Sequence, residues 1–492
     1  MQKTFTRLFY IGFAALWGWI LINSVLRWPH NGLAALGLGL VFTLIFWALA
    51  RWVAPLANQL TSRGFSLCFG AVFVLYAAFL AWMGWLLAEV PIMDMEVVLK
   101  TLPDLLASGR FGVWNGYYIV CNNNLGLALL LGGWYWLAGL FGFAPGADLA
   151  GVAPGIALNV LALLLSVWLC CRIARHIFGT HRAVVVTFLL CAGFAPFVLY
   201  APCFYSDSLS MPFALLAVLC WCRYRTAKAP AARLGLLIGM GAAVFAGYAV
   251  KGSVAVVLIA LLIQLFLEKK AKQALCGALA LLLSFGILLS SYQLWQKNVF
   301  LDQTEYEALG LPLNLWFCYG SHGEGNYSQA DFDAAMTVDT VAEREALIAQ
   351  RIRENYAAMS PGQLAGFMTK KAAITWGDGL YTAEEFLATP QRANWTHTFI
   401  IKGQPGYMPM VYYCQAYLYM VQLLVLAAAV VGARLAKPGP ECLNALCITG
   451  LVLFLSLWET KARYAFNFTP LLLLLAAGGL LALSHLPHTR KR

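Results

Sequence analysis

Twelve apolar runs, each long enough to cross or nearly cross a bilayer, dominate this sequence and restrict what it can fold into. They fall at roughly 8–26, 32–53, 65–89, 154–172, 183–201, 206–222, 234–250, 252–267, 274–296, 408–433, 442–458 and 464–485. A spanning helix needs about 20 apolar residues because the hydrocarbon core offers no water to backbone amides. Only 11% of the residues are charged, against about 25% in soluble domains. The chain therefore reads as an all-α polytopic membrane protein with about twelve transmembrane helices. Lys3 and Arg7 precede the first run, but no small-residue cleavage site separates it from the second, so a retained helix is expected.

Lys and Arg favour cytoplasmic loops. With the N-terminus inside, 19 of the 33 basic residues lie in the cytoplasm, among them Arg51, Arg182, Arg225, Lys228, Lys269, Lys270, Arg490, Lys491 and Arg492. The same placement sends 20 of the 22 acids to the opposite side, leaving only Glu268 and Glu441. The net charge of +11 thus reflects loops facing anionic lipid and is no argument for nucleic acid. Both termini are expected in the cytoplasm of a multi-pass plasma-membrane protein.

This topology divides the chain into N-terminal helices (1–89), a first outer loop (90–153), central helices (154–296), a large extracytoplasmic segment (297–407), and C-terminal helices with a basic tail (408–492). Residues 124–143, with Trp134, Tyr135 and Trp136, would reverse the charge bias if they crossed, so an interfacial helix is expected there. The charges of "VAEREALIAQRIREN" have the spacing of a solvated helix. Thirteen cysteines lie mostly inside apolar runs and read as packing residues, and the seven histidines are scattered without metal-ligand spacing. No glycine-rich nucleotide loop is present.

The remaining ionisable residues gather at the outer ends of helices. Asp94 and Glu96 follow the third run, Asp207 opens the sixth, Lys251 lies between the seventh and eighth, and Glu459, Lys461 and Arg463 join the last two. One such charge is a tolerated boundary residue; several on one side argue for a shared wet cavity. The acidic first loop, "NNNLGLALLLGGWYWLAGLFG", "FYSDSLSMPF", "GYAVKGS" and "ETKARYAFNFTP", taken in order, resemble the GT-C superfamily of membrane glycosyltransferases. The pattern is most similar to family 39-like enzymes of Gram-positive bacteria, relatives of protein O-mannosyltransferases and aminoarabinose transferases. "LPLNLWFCYGSHGEGNYSQADFD" and "KKAAITWGDGLY" resemble the same group. Gly252 and Ser253 depart from the Pro-Thr of those relatives, and Cys121 stands where Tyr and Pro are usual.

The resemblance implies transfer of a sugar from a polyprenyl phosphate to a glycan, lipid or protein acceptor at the extracytoplasmic face of a bacterial membrane. It carries the catalytic acids over to Asp94, with Glu96 completing an Asp-x-Glu pair, and Asp207. Asp94 is the expected base, because transfer through an oxocarbenium-like state requires removal of the acceptor's proton. Arg463, Lys461 and Lys251 are expected to neutralise the departing phosphate. Glu459 is expected to orient Arg463, and His322 and Glu324 to position donor or acceptor. Asp94, Glu96 and Asp207 also offer the hard oxygen ligands that Mg or Mn prefers, so a divalent metal is a candidate cofactor. Two other readings fit: a lipid-linked sugar flippase, and a polysaccharide polymerase or ligase of the same fold.

Overall fold

A computed structural model describes residues 2–300 and 302–485. The basic residues Arg490, Lys491 and Arg492 lie outside the described residues. Among the described residues, nine helices are long and apolar enough to span: Gln2–Arg27, Gly32–Gln59, Ser62–Leu86, Leu149–Phe178, Pro230–Val250, Ala271–Phe300, Tyr407–Leu435, Pro440–Leu457 and Ala462–His485. The other three expected runs form shorter helices. The run at 183–201 splits into His181–Ala192 and Ala195–Leu199, because Pro196 has no amide hydrogen and its ring would meet the carbonyl of Ala192. The run at 206–222 divides into Ser206–Leu209 and Met211–Thr226, the second with Pro212 in its first turn. The run at 252–267 is the short apolar helix Gly252–Glu268.

The all-helical bundle is built around its last helix. Ala462–His485 is 83% buried along its apolar stretch, whereas Ser62–Leu86 is 11% buried and lies at the periphery. Tyr407–Leu435 packs against it closely enough that a Cβ on Gly479 would sit 2.0 Å from the Leu424 carbonyl. Backbones approach this way in membranes because packing, not water exclusion, holds such helices together.

The polar connections between helices collect at two ends. At one end, Arg182 donates to the carbonyl of Ala50 at 2.9 Å and Arg225 pairs with Glu268 at 2.7 Å. The opposite end carries the first loop and residues 302–406. Within that segment Leu315, Cys318, Tyr319, Ala335 and Ile348 form a small separate core. The Val341–Ala357 helix is less solvated than its charge pattern suggests. Arg344 is buried and donates to backbone carbonyls of Ala335, Glu307 and Gly310, and Arg351 pairs with buried Asp331. Lys371 anchors the segment to the bundle by donating to the carbonyls of Gly320 and Trp458.

Candidate functional site

Two polar groups meet at the end that carries the first loop. The first surrounds Asp94. An extended Ile92 and a left-handed Met93 (φ 53°) turn the chain into the Met93–Ser108 helix, placing Asp94 in its first turn, where the helix dipole favours an anion. The Tyr117 hydroxyl donates to Asp94 Oδ1 at 2.9 Å, and the Tyr205 hydroxyl to Oδ2 at 3.0 Å. Asn124 touches both phenols, its Nδ2 2.6 Å from Tyr117 Oη and its Oδ1 3.1 Å from Tyr205 Oη. Burial first, and then the charge of Asp94, pushes both phenols well above their ordinary range, which keeps them protonated donors.

The second group surrounds Asp207, which is fully buried. Its Oδ1 accepts from Lys251 Nζ at 2.6 Å. Lys251 reaches it because the Pro230–Val250 helix ends there in an extended residue, followed by a 3-10 turn. Arg463 Nη1 stands 3.9 Å from Oδ2, which has no hydrogen bond, and Arg463 Nε is likewise buried without an acceptor. The guanidinium lies among three rings, 5.4 Å from Tyr205, 5.4 Å from Tyr464 and 5.6 Å from Phe386. Two cations, Arg463 buried and Lys251 part-buried, therefore face one carboxylate. Tyr205 joins the groups, with its hydroxyl on Asp94 and its ring against Arg463.

The other expected residues fall elsewhere. Glu96 turns away and pairs with Lys100 through largely exposed side chains. Glu459 makes no ion pair with Arg463 among the described residues. It accepts from the Tyr464 hydroxyl at 2.8 Å, because the extended Lys461 breaks the helical register that an i, i+4 pair requires. Lys461 has no ion pair within 4 Å among the described residues. His322 places Nε2 on Asp331, whose carboxyl also pairs with Arg351. Burial works to raise that carboxyl, but the hydrogen bonds from His322 and Arg351 outweigh it and hold it below the usual range. Glu324 pairs with Lys370 in an exposed contact at 2.6 Å.

The acids do not fit the metal set expected of them. Among the described residues no three His, Cys, Asp or Glu side chains converge as a metal site. Asp207 is committed to lysine, Glu96 is turned outward, and Asp94 is held by phenols. Sequence reasoning missed Tyr117, Asn124 and Tyr205. The only signals were three consecutive asparagines before an apolar run and a tyrosine two residues before Asp207.

A family model described as "conserved hypothetical integral membrane protein" matches residues 33–481. No curated protein matches the chain. The chain is similar to the crystal structure of ArnT from Cupriavidus metallidurans bound to undecaprenyl phosphate, with 14% identity, 84% of this chain and 77% of that chain covered, and a TM-score of 0.35. It is similar also to the same protein in the apo state, with 14% identity, 85% and 78% covered, and a TM-score of 0.35. A likeness at that score assigns neither a fold nor a substrate.

Proposed function

The chain belongs to the family of conserved hypothetical integral membrane proteins, and from the geometry of its polar end we propose a GT-C-type membrane glycosyltransferase. It moves a sugar from a polyprenyl-phosphate donor to an acceptor. The observation that carries the reading is Tyr205, one phenol bridging a carboxylate and a buried, incompletely paired guanidinium. Glycosyl transfer needs that pairing, a base on the acceptor side and a cation where the phosphate departs.

In this reading Asp94 takes the acceptor's proton. Arg463 and Lys251 receive the phosphate, and Asp207 holds the two cations together before donor arrives. One acid against two cations leaves a net positive charge, which a phosphate completes. Arg463 is pre-set by its three aromatic neighbours, so little side-chain freedom is lost on binding. The donor's isoprenoid tail remains in the bilayer beside the helix ends. Residues 302–406 cap the same end and form the acceptor-side surface, with His322 and Glu324 at its edge and Lys461 in the link beside Arg463. The sequence resemblance to GT-C enzymes and the charge bias of the loops support an extracytoplasmic site.

The test is transfer by purified full-length protein from radiolabelled sugar on undecaprenyl phosphate to membrane glycans of its host. A labelled product in the wild type, lost in Asp94→Asn and in Arg463→Ala, supports the reading. Movement of the labelled lipid between leaflets without any transfer product would overturn it in favour of a flippase.

A further inference from the structure

The contacts around Asp94 close a ring of four: Asp94 Oδ1 to Tyr117, Tyr117 to Asn124, Asn124 to Tyr205, and Tyr205 back to Asp94 Oδ2, at 2.9, 2.6, 3.1 and 3.0 Å. Each phenol supplies one proton, the amide nitrogen supplies one to the ring, and an ionised carboxylate supplies none. Four contacts then share three protons, and the single hydrogen of Tyr205 is divided between Asp94 Oδ2 and Asn124 Oδ1. A proton on Oδ2 removes the deficit, because each member then donates once and accepts once around the circuit. Turning the Asn124 amide over reverses the circuit and moves the deficit to Tyr117, without changing the count. Asn124 and Tyr205 are buried at 1% and 4% exposure, so their shared contact lies away from water, and the one further donor to it is Asn123 Nδ2, at a long 3.4 Å from Asn124 Oδ1.

We propose that Tyr117, Asn124 and Tyr205 form with Asp94 a proton-deficient hydrogen-bonded ring that positions the base and is completed by the proton taken from the acceptor. This rests on the reading of Asp94 as the base of a glycosyl transfer. In that step the acceptor oxygen bonds to the anomeric carbon and the bond from that carbon to the phosphate oxygen breaks. The phosphate leaves with the electron pair, and the acceptor's proton passes to Asp94. Tyr205 then gives its hydrogen wholly to Asn124. The three residues are positioning residues, because they act on the substrate only through Asp94.

Removing different members has opposite effects. Asn124→Leu frees one tyrosine hydrogen entirely for the carboxylate, so the ionised form is favoured and Asp94 titrates at lower pH. Tyr117→Phe and Tyr205→Phe each remove a donor to the carboxylate, so it titrates at higher pH. Other ionisable groups near Asp94 are Tyr118 and Cys121 in the same loop and Arg463 with Asp207 behind Tyr205, while Glu96 and Lys100 on its own helix pair with each other and turn outward. None of the three substitutions alters them.

The experiment is infrared titration of the full-length protein in lipid nanodiscs, reading the carboxylic C=O band that Asp94→Asn abolishes. The expected result is a downward displacement in Asn124→Leu and an upward one in both Phe variants, each by about one pH unit, the worth of roughly one charge-assisted hydrogen bond. Displacement of all three variants in one direction, or of none, overturns the ring. A merely structural role would not produce opposite signs. The transfer assay above separates the two readings. Opposite displacements in a protein that transfers no sugar keep the ring and reject the transferase; transfer with displacements of one sign does the reverse.

Discussion

Arg463 is held by stacking more than by ion pairing, and this sets what its replacement should do. Lysine keeps the charge but loses the planar contact with Tyr205, Tyr464 and Phe386 and the two-pronged grip on a phosphate. Arg463→Lys should therefore weaken undecaprenyl phosphate binding by roughly tenfold or more while the protein still folds, measured as the shift in thermal unfolding against lipid concentration. Unchanged affinity would remove Arg463 from the phosphate site. The two first-loop acids should separate as sharply. Asp94→Asn keeps the shape of the side chain but not its basicity, so transfer should fall by about 10² to 10⁴ with lipid binding intact. Glu96→Gln removes only an exposed i, i+4 pair with Lys100, worth about 0.3–0.5 kcal/mol, and transfer should stay near normal in the same assay. Equal losses in both variants would restore the Asp-x-Glu pair as a unit.

At the scale of elements, the apolar runs were legible because bilayer thickness fixes a length that any sequence window can be tested against. Their interruptions were written in Pro196 and Pro212. The shared end of Asp207, Lys251 and Arg463 was legible through alternating helix direction alone. The ring around Asp94 was not, because Tyr205 lies 111 residues from Asp94 and tyrosines near a membrane surface ordinarily serve as headgroup anchors. The partner of Glu459 was not legible either, because four residues of separation bring side chains together on a helix and the chain is extended at Lys461. The docking of residues 302–406 was also hidden, and part of it turns on Glu89, just beyond the Ser62–Leu86 helix. Glu89 is buried 3.4 Å from His397, while Gln391 donates its backbone amide to the neighbouring Ala88 carbonyl at 2.9 Å. Burial pushes the Glu89 carboxyl up to about 8. Between the ordinary carboxylate range and that value the folded chain holds a proton that the unfolded chain releases, so stability should fall as pH rises through this window. Tm in nanodiscs should therefore drop more steeply from about pH 5 to about pH 9 in the wild type than in Glu89→Gln. Parallel curves would show that Glu89 does not titrate in the fold.

For the whole molecule, the decisive question is which side of the membrane the polar end faces. Helix direction alone divides the connections into two sets but does not orient them; charge does. The set holding Arg225, Lys228, Lys269 and Lys270 is rich in bases, and Asp94, Glu96, Asp207, Glu324 and Asp331 all lie at the opposite end. The basic set should therefore remain in the cytoplasm. The Leu125–Gly139 helix agrees with this arrangement, since 15 residues extend about 22 Å and fall short of a hydrocarbon core of about 30 Å. It also lies so close to the Pro230–Val250 helix that a Cβ on Gly126 would meet the Ala249 carbonyl, which pins the first loop beside Lys251. Cysteine placed at exposed Glu324 should react with a membrane-impermeant maleimide on intact cells, whereas cysteine at exposed Lys228 should react only after permeabilisation. The two exposed native cysteines, Cys68 and Cys276, lie within spanning helices and should stay unlabelled in lipid. The reverse pattern would turn the site toward the cytoplasm. It would then have to act before any lipid-linked sugar crossed the bilayer, and the assignment of residues 302–406 as an extracytoplasmic acceptor surface would fall with it.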